Sequence, residues 1–256
     1  MGIKSFIFRP RILWPTGILL AFLLLMSVAL VLQSRFAIKQ LAIHNPEVLF
    51  FVETDQKVLA LTIDDAPSSL LTPSILDILE EHDIRATFFV IGEHAAGQEL
   101  LIKRMKAAGH ELGNHMVRDE ASIQLSEEEF EENLLAVEKL IGPLGASKWC
   151  RPGSGWFSPE MVEIAHRLGY RCCLGSIYPL DNKIRNPDLI RHAVLARMQP
   201  GAVLVLHEGD ASRQYIVPLL KKLIPDLKAK GYRFLTVSEL HDLNSTAPAP
   251  PRKPLP

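Results

Sequence analysis

The sequence predicts a parallel α/β barrel. Between Val52 and Leu243, short apolar segments rich in β-branched and aromatic residues alternate with segments of helical period. Polar clusters recur where those apolar segments end, which in a barrel brings them to one face. Neither an internal repeat nor a Gly-rich dinucleotide loop interrupts the alternation. An open doubly wound sheet is the alternative arrangement of the same elements.

The strand candidates are residues 58–63, 86–91, 110–113, 148–150, 170–176, 202–207 and 232–235. The first, 58–63, is a buried strand by its length and composition, and Ala66-Pro67 closes it with a turn. Thr72-Pro73 then starts a helix, with a cap residue before a first-turn proline. Ser158-Pro159 and Asn186-Pro187 repeat that signal later in the chain. Ser126 and Glu129 form a capping box ahead of the helical run 130–140. Seven strand–helix units without a domain break give a distorted seven-stranded barrel, one unit short of eight.

A catalytic domain is expected over 45–243, within the range of a single core for a 256-residue chain. Before it, residues 12–34 read as a transmembrane anchor behind a cytoplasmic N-terminus, residues 1–11. No charge interrupts Ile12 to Leu32, and roughly 20 apolar residues span a bilayer. Lys4, Arg9 and Arg11 precede the span and Arg35 and Lys39 follow it, a modest bias for the N-terminus inside and the catalytic domain on the extracytoplasmic side. A cleaved signal peptide is the alternative, although no small-x-small cleavage site ends the run. Residues 244–256, with five prolines, read as a disordered tail. A net charge of −1 offers no basic field for nucleic acid. The three cysteines, Cys150, Cys172 and Cys173, lack zinc-site spacing and read as buried thiols, with a Cys150 bridge to one of the others conceivable.

Asp64-Asp65 ends the first strand, and two adjacent carboxylates at such a mouth repel unless a cation or a shared proton neutralises one. A divalent cation would split the pair into a ligand and a base. Asn114-His115 and Asp119 follow the third strand, Arg151-Pro152-Gly153-Ser154-Gly155 the fourth, Asp181 the fifth, and His207 ends the sixth. The stretch from His110 to His115 is not an H-E-x-x-H helix, because its histidines are five apart with a glycine between. His110 is expected to face packing. His115 and Asp119 present nitrogen and oxygen from one loop, and Asp65 adds another oxygen. That set suits zinc, cobalt, manganese or iron(II), with positions left for water and substrate.

Taken together, these motifs resemble the polysaccharide deacetylases of the NodB-homology type, carbohydrate esterase family 4, over roughly residues 57–243. Leu61-Thr62-Ile63-Asp64-Asp65-Ala66-Pro67 is similar to the family's T-F-D-D-G-P, and Ala86-Thr87-Phe88-Phe89-Val90-Ile91-Gly92 follows it. Gly109 to His115 resembles the second motif, Arg151-Pro152-Gly153-Ser154-Gly155 resembles R-P-P-Y-G, and Val203 to His207 resembles the last. The resemblance implies a metal-dependent hydrolase that removes N-acetyl groups from N-acetylglucosamine-containing glycans and releases acetate. It implies Asp64 as general base, and Asp65, His115 and Asp119 as ligands of a divalent metal, zinc first and cobalt or manganese next. It further implies Ser154 as the backbone N–H donor to the oxyanion, His207 as general acid, Arg151 as partner of Asp64, and Asp181 as the residue that orients His207.

The chain departs from the family's pattern at four places. Asp119 stands where a second ligand histidine is usual, which adds a negative charge and predicts a weaker Lewis acid with more preference for harder cations. Met116 replaces Ser or Thr. Gly153-Ser154 replaces Pro-Tyr/Phe and removes an aromatic wall. The stretch Gly175 to Asn182 keeps only Asp181 of the fourth motif and lacks its tryptophans. A groove with fewer aromatic platforms grips a sugar differently. The competing functions are a deacylase of a lipid-linked or other acylated amino sugar, and an inactive glycan-binding relative.

Overall fold

Nine consecutive buried residues, Val58–Ala66, form the strand around which the sheet is built. In the computed structural model, which describes residue 17 and residues 35–245, strands and helices alternate as the hydrophobic pattern requires. The strands are β1 (Val48–Leu49), β2 (Val58–Ala66), β3 (Thr87–Val90), β4 (Glu111–Asn114), β5 (Trp149–Cys150), β6 (Arg171–Cys173), β7 (Ala202–His207) and β8 (Arg233–Leu235). The α-helices named here are α1 (Thr72–Glu81), α2 (Gly92–Ala95), α3 (Glu99–Ala107), α4 (Glu127–Ile141), α5 (Pro159–Arg167), α6 (Pro187–Arg197), α7 (Ile216–Ala229) and α8 (Val237–Ser245).

All named strand pairs are parallel, in the order β1-β6-β5-β4-β3-β2-β7, with β8 on β2. β8 pairs with Val58–Ala60 and β3 with residues 62–66, so different stretches of β2 serve the two neighbours. Beyond β7, among the described residues, only single bridges continue, Ile177 with Leu204 and Phe51 with Ala202. The result is a distorted, partly open parallel barrel along a path of seven strands. Every strand read from the sequence is present, most of them shortened. β1 was not anticipated, because two residues carry too little periodicity to register.

Alternation along β2 sorts its side chains. Leu59, Leu61 and Ile63 join the cluster under the helices, with Ile75 and Leu79 of α1 and Leu220 and Leu223 of α7. Val58 and Ala60 join a second cluster with Phe89, Trp149, Cys173, Val203, Val237 and Leu240. Stacked layers of inward side chains fill a barrel of this kind, so its floor is packed and only its upper mouth can hold a site.

The helix starts hold at three of the four expected places. Ser126 and Glu129 make the reciprocal capping box of α4, Ser158 caps α5, and Asn186 caps α6. Thr72 is a correction. Leu71 is the cap residue of α1, and the Thr72 hydroxyl instead accepts the Ser68 N–H at 2.8 Å and donates to Glu208 Oε2 at 2.7 Å. A buried carboxyl beside it outcompeted the helix end for that hydroxyl; burial pushes the Glu208 pKa up to about 8.

The three cysteines are free and buried, with 3.6 Å between Cys150 Sγ and Cys172 Sγ. The chain separates into an N-terminal unit ending at Leu41 and a larger unit from Ala42 that carries the barrel. The anchor expected over 12–34 lies outside the described residues, Gly17 apart. Among the described residues, no helix is long and apolar enough to cross a membrane. Residues 244 and 245, expected in the tail, are the end of α8; the rest of the tail lies outside the described residues.

Candidate active site

Consecutive residues of a regular strand face opposite sides of the sheet, so Asp64 and Asp65 could not share one cavity if β2 ran straight. It does not run straight. The register with β3 shifts between Ile63 and Ala66, and Asp65 takes φ 64°, a left-handed backbone that non-glycine residues rarely adopt. Both carboxylates then line the same cavity of about 280 Å³ at the C-terminal ends of the strands. His94 of α2 supports the strained residue through its Nδ1, 2.8 Å from the Asp65 carbonyl oxygen. Ser154 (φ 60°) and Leu180 (φ 58°) also line this cavity, and Met116 (φ 63°) directly follows His115. Left-handed backbone concentrated around one cavity marks a site where geometry is held against local preference.

All eight catalytic and metal-ligand candidates of the sequence line that cavity: Asp64, Asp65, His115, Asp119, Arg151, Ser154, Asp181 and His207. Arg151 reaches it from below. Its guanidinium lies 4.0 Å from the centre of the Phe89 ring, gives Nε–H to the Cys173 carbonyl at 2.8 Å, and gives Nη1–H to Thr62 Oγ1 at 2.9 Å and to Asp64. Burial alone would raise the Asp64 pKa. The charge and hydrogen bond of Arg151 and the charge of His207, with that of His115 whenever its ring is protonated, overcome it and hold the carboxyl below its ordinary value.

His207 has the opposite bias. Its backbone N–H donates to Asp181 Oδ2 at 2.8 Å and its ring Nδ1 lies 2.9 Å from Asp181 Oδ1, which leaves Nε2 on the cavity side, 3.9 Å from Asp64 Oδ2. Burial would lower the His207 pKa, but the hydrogen bond and charge of Asp181, aided by Asp64 and Asp65, raise it to about 9. His110, as expected, stands apart. It accepts the Ala86 N–H at 3.2 Å and packs on Phe88, and burial with nearby Arg85 lowers its pKa to about 4. Asn114 is structural too, bonding the Leu134 carbonyl and accepting the Met116 N–H.

His115 and Asp65 present donors that a divalent cation can use. His115 Nδ1 lies 2.6 Å from the Arg151 carbonyl, which can only accept, so the proton sits on Nδ1 and the Nε2 lone pair faces the carboxylates. That Nε2 is 3.6 Å from Asp65 Oδ1 and 3.7 Å from Asp64 Oδ2. An imidazole in the right tautomer beside a carboxylate fits a cation. Asp119 lines the same cavity from an exposed loop, and burial, with the charges of Asp64 and Asp119, raises the Asp65 pKa. Among the described residues, no three His, Cys, Asp or Glu side chains converge closely enough to hold an ion. Two residues that the sequence reading missed share the wall, Tyr178 and Arg213. Arg213 was findable by the strand-end rule, since it lies six residues past His207, but one basic residue in a polar loop carries no signal of its own.

Two departures in the sequence are physically connected. A Cβ at Gly153 would lie 2.0 Å from the Glu120 carbonyl oxygen, and the Gly153 N–H donates to Ser122 Oγ at 2.7 Å. A proline there would clash and lack the N–H. Gly153 therefore lets the loop that carries Asp119 close against the Arg151 loop. Gly153→Ala should force the two apart and lower stability by about 1–3 kcal/mol, the usual cost of overpacking. Urea denaturation checks this, and an unchanged midpoint would show that the loops do not depend on each other.

Fold and site together define an α/β-barrel protein with a cavity lined by buried ionisable side chains at its C-terminal mouth. The family model described as polysaccharide deacetylase matches residues 51–173. A peptidoglycan-N-acetylglucosamine deacetylase of Bacillus cereus is 33% identical over 202 residues, covering 75% of this chain and 92% of that protein. A chitooligosaccharide deacetylase of Bradyrhizobium sp. is 33% identical over 195 residues, covering 71% and 89%. Among solved structures, a peptidoglycan N-acetylglucosamine deacetylase superposes with a TM-score of 0.73 at 32% identity, covering 76% of this chain and 92% of that one. The chain belongs to the polysaccharide deacetylases, carbohydrate esterase family 4.

Proposed function

We propose that the protein is a metal-dependent deacetylase that removes N-acetyl groups from N-acetylglucosamine-containing poly- or oligosaccharides and releases acetate. One observation carries the reading: Asp64 is biased to its ionised form and His207 to its protonated form, on facing walls of one cavity. Two titratable groups whose environments push them apart are a base and an acid. The chitooligosaccharide and peptidoglycan deacetylases among the relatives support the substrate class.

Asp65 and His115 would hold the divalent cation, with Asp119 as the candidate third donor. When bound, the cation supplies Lewis acidity for the amide carbonyl and for water. Asp64 takes the proton of the attacking water, and its pair with Arg151 keeps it ionised until then. The backbone N–H of Ser154 serves the oxyanion of the tetrahedral intermediate. His207 gives the Nε2 proton to the departing amine, without which the amide nitrogen is a very poor leaving group. Asp181 fixes the ring from both Nδ1 and the backbone. With residues 12–34 as an anchor, this chemistry would take place at the outer membrane surface.

The test is acetate release from N-acetylglucosamine oligomers by the full chain, stripped of metal and then reloaded with zinc, cobalt or manganese. Release should require the cation, and far-UV circular dichroism should barely change on stripping, because the core is apolar and closed without it. Undiminished release from thoroughly metal-free protein would refute the metal role. No release from any acetylated glycan, with or without metal, would favour the glycan-binding reading.

A further inference from the structure

Asp65 already has a cationic neighbour. Arg213 Nη2 lies 3.2 Å from Asp65 Oδ2, on the oxygen other than the one facing His115. The arginine arrives on the short turn Ala211–Arg213 after β7, which is well fixed. The Asp210 carboxylate accepts the Ser212 N–H at 2.7 Å, and the Arg213 N–H donates to the Asp210 carbonyl at 3.0 Å. Gly209, at φ 124°, runs so close to Asp65 that an added Cβ would touch the Asp65 Cβ at 3.5 Å. The guanidinium is largely buried, and its Nη1 has no hydrogen-bond partner among the described residues. It is therefore a desolvated charge directed at the expected ligand, not a solvated surface arginine.

The charge count gives it a purpose. One carboxylate with two imidazoles carries −1. Asp65, Asp119 and neutral His115 carry −2, and Arg213 returns the sum to −1. We propose that Arg213 is the charge-compensating residue of the cation site, offsetting the carboxylate of Asp119 and holding down the affinity of Asp65 for a divalent ion. On this reading Arg213 would offset the weakening of the Lewis acid expected from the Asp119 carboxylate. The inference rests on the reading of Asp65 and His115 as ligands.

The test is binding, read without turnover. Metal-free full chain is titrated with Zn²⁺ and with Mn²⁺ against a chelating dye. A unit charge about 6 Å from a dication changes its affinity by on the order of tenfold even at a water-like effective dielectric, and by more where water is excluded. Arg213→Gln should therefore tighten both ions by at least about that factor. Arg213→Met, which keeps the packed stem, should do the same and serves if the glutamine variant does not fold. Arg213→Lys, which keeps the charge, should stay near wild type. Asp119→Asn combined with Arg213→Gln should return towards wild-type affinity. Unchanged or weaker binding in both neutral variants overturns the proposal. Asp65→Asn separates the levels: if it weakens binding while the Arg213 variants do nothing, only the role of Arg213 fails. If Asp65→Asn also leaves binding unchanged, Asp65 is not a ligand, and the proposal falls with the metal site.

Discussion

Asp64→Asn should lower turnover by about 10²- to 10⁴-fold, the usual contribution of a general base. The amide keeps the shape of the side chain and can still accept a hydrogen bond from Arg151, but it cannot take a proton from water. The same change should reduce stability. Arg151 and Asp64 are a pair buried at the centre of the barrel, 2% and 3% exposed, and removing one charge from a buried pair costs about 3–5 kcal/mol because the other is left uncompensated. The two effects separate in the double variant Asp64→Asn with Arg151→Met. Stability should recover in part, since the stranded charge is gone, while turnover stays low. Acetate release and the denaturation midpoint measure the two quantities on the same samples. Near-wild-type turnover in Asp64→Asn would remove the base from the mechanism, whatever the midpoint did.

The site residues were legible in the sequence because each sits where a strand ends, and a parallel barrel gathers strand ends. That argument needs only periodicity, and the four residues it brings to one face, Arg151, Asp181, His115 and His207, line one cavity. It could not say how Asp64 and Asp65 face the same way, since strand alternation forbids it; the answer is a bulge and a left-handed residue that no local pattern announces. The role of Thr72 was missed for a related reason. A threonine before a proline reads as a cap, and the carboxyl that claims its hydroxyl, Glu208, is 136 residues away. Asp119 shows a third limit. Its loop is located by the contact of Gly153 with Glu120, which depends on backbone spacing that sequence order does not encode. Arg213 contacts Asp65 across the same kind of distance, and only the fold shows that the two charges meet.

Asp181→Asn should move the basic limb of the pH–rate profile to lower pH. In the wild type, His207 must carry its proton to act as acid, and its pKa is about 9, so activity should fall as pH rises through that region. Burial works against the imidazolium, and the hydrogen bond and charge of Asp181 are the main terms that reverse it. Without that charge, burial dominates and the pKa drops towards or below the ordinary histidine value of about 6.5. At pH 7 the variant would then hold mostly neutral His207, and turnover should fall by at least about fourfold, with most of it regained near pH 5.5. A dication on Asp65 would lower the absolute position of the limb in both proteins, but the difference between them survives. The stability linkage has the same origin. A histidine whose folded pKa is raised stabilises fully below its unfolded pKa and loses that contribution as pH rises through the folded value. Wild type should therefore lose stability between about pH 6.5 and 9 in a step that the Asp181→Asn variant lacks. The acidic limb, set by Asp64, should lie below the ordinary carboxylate range in both, because the variant does not touch Arg151. Profiles of kcat against pH, with the His207 ring proton followed by NMR, decide the matter. Coincident basic limbs in the two proteins would mean that Asp181 holds the ring in place without tuning its proton.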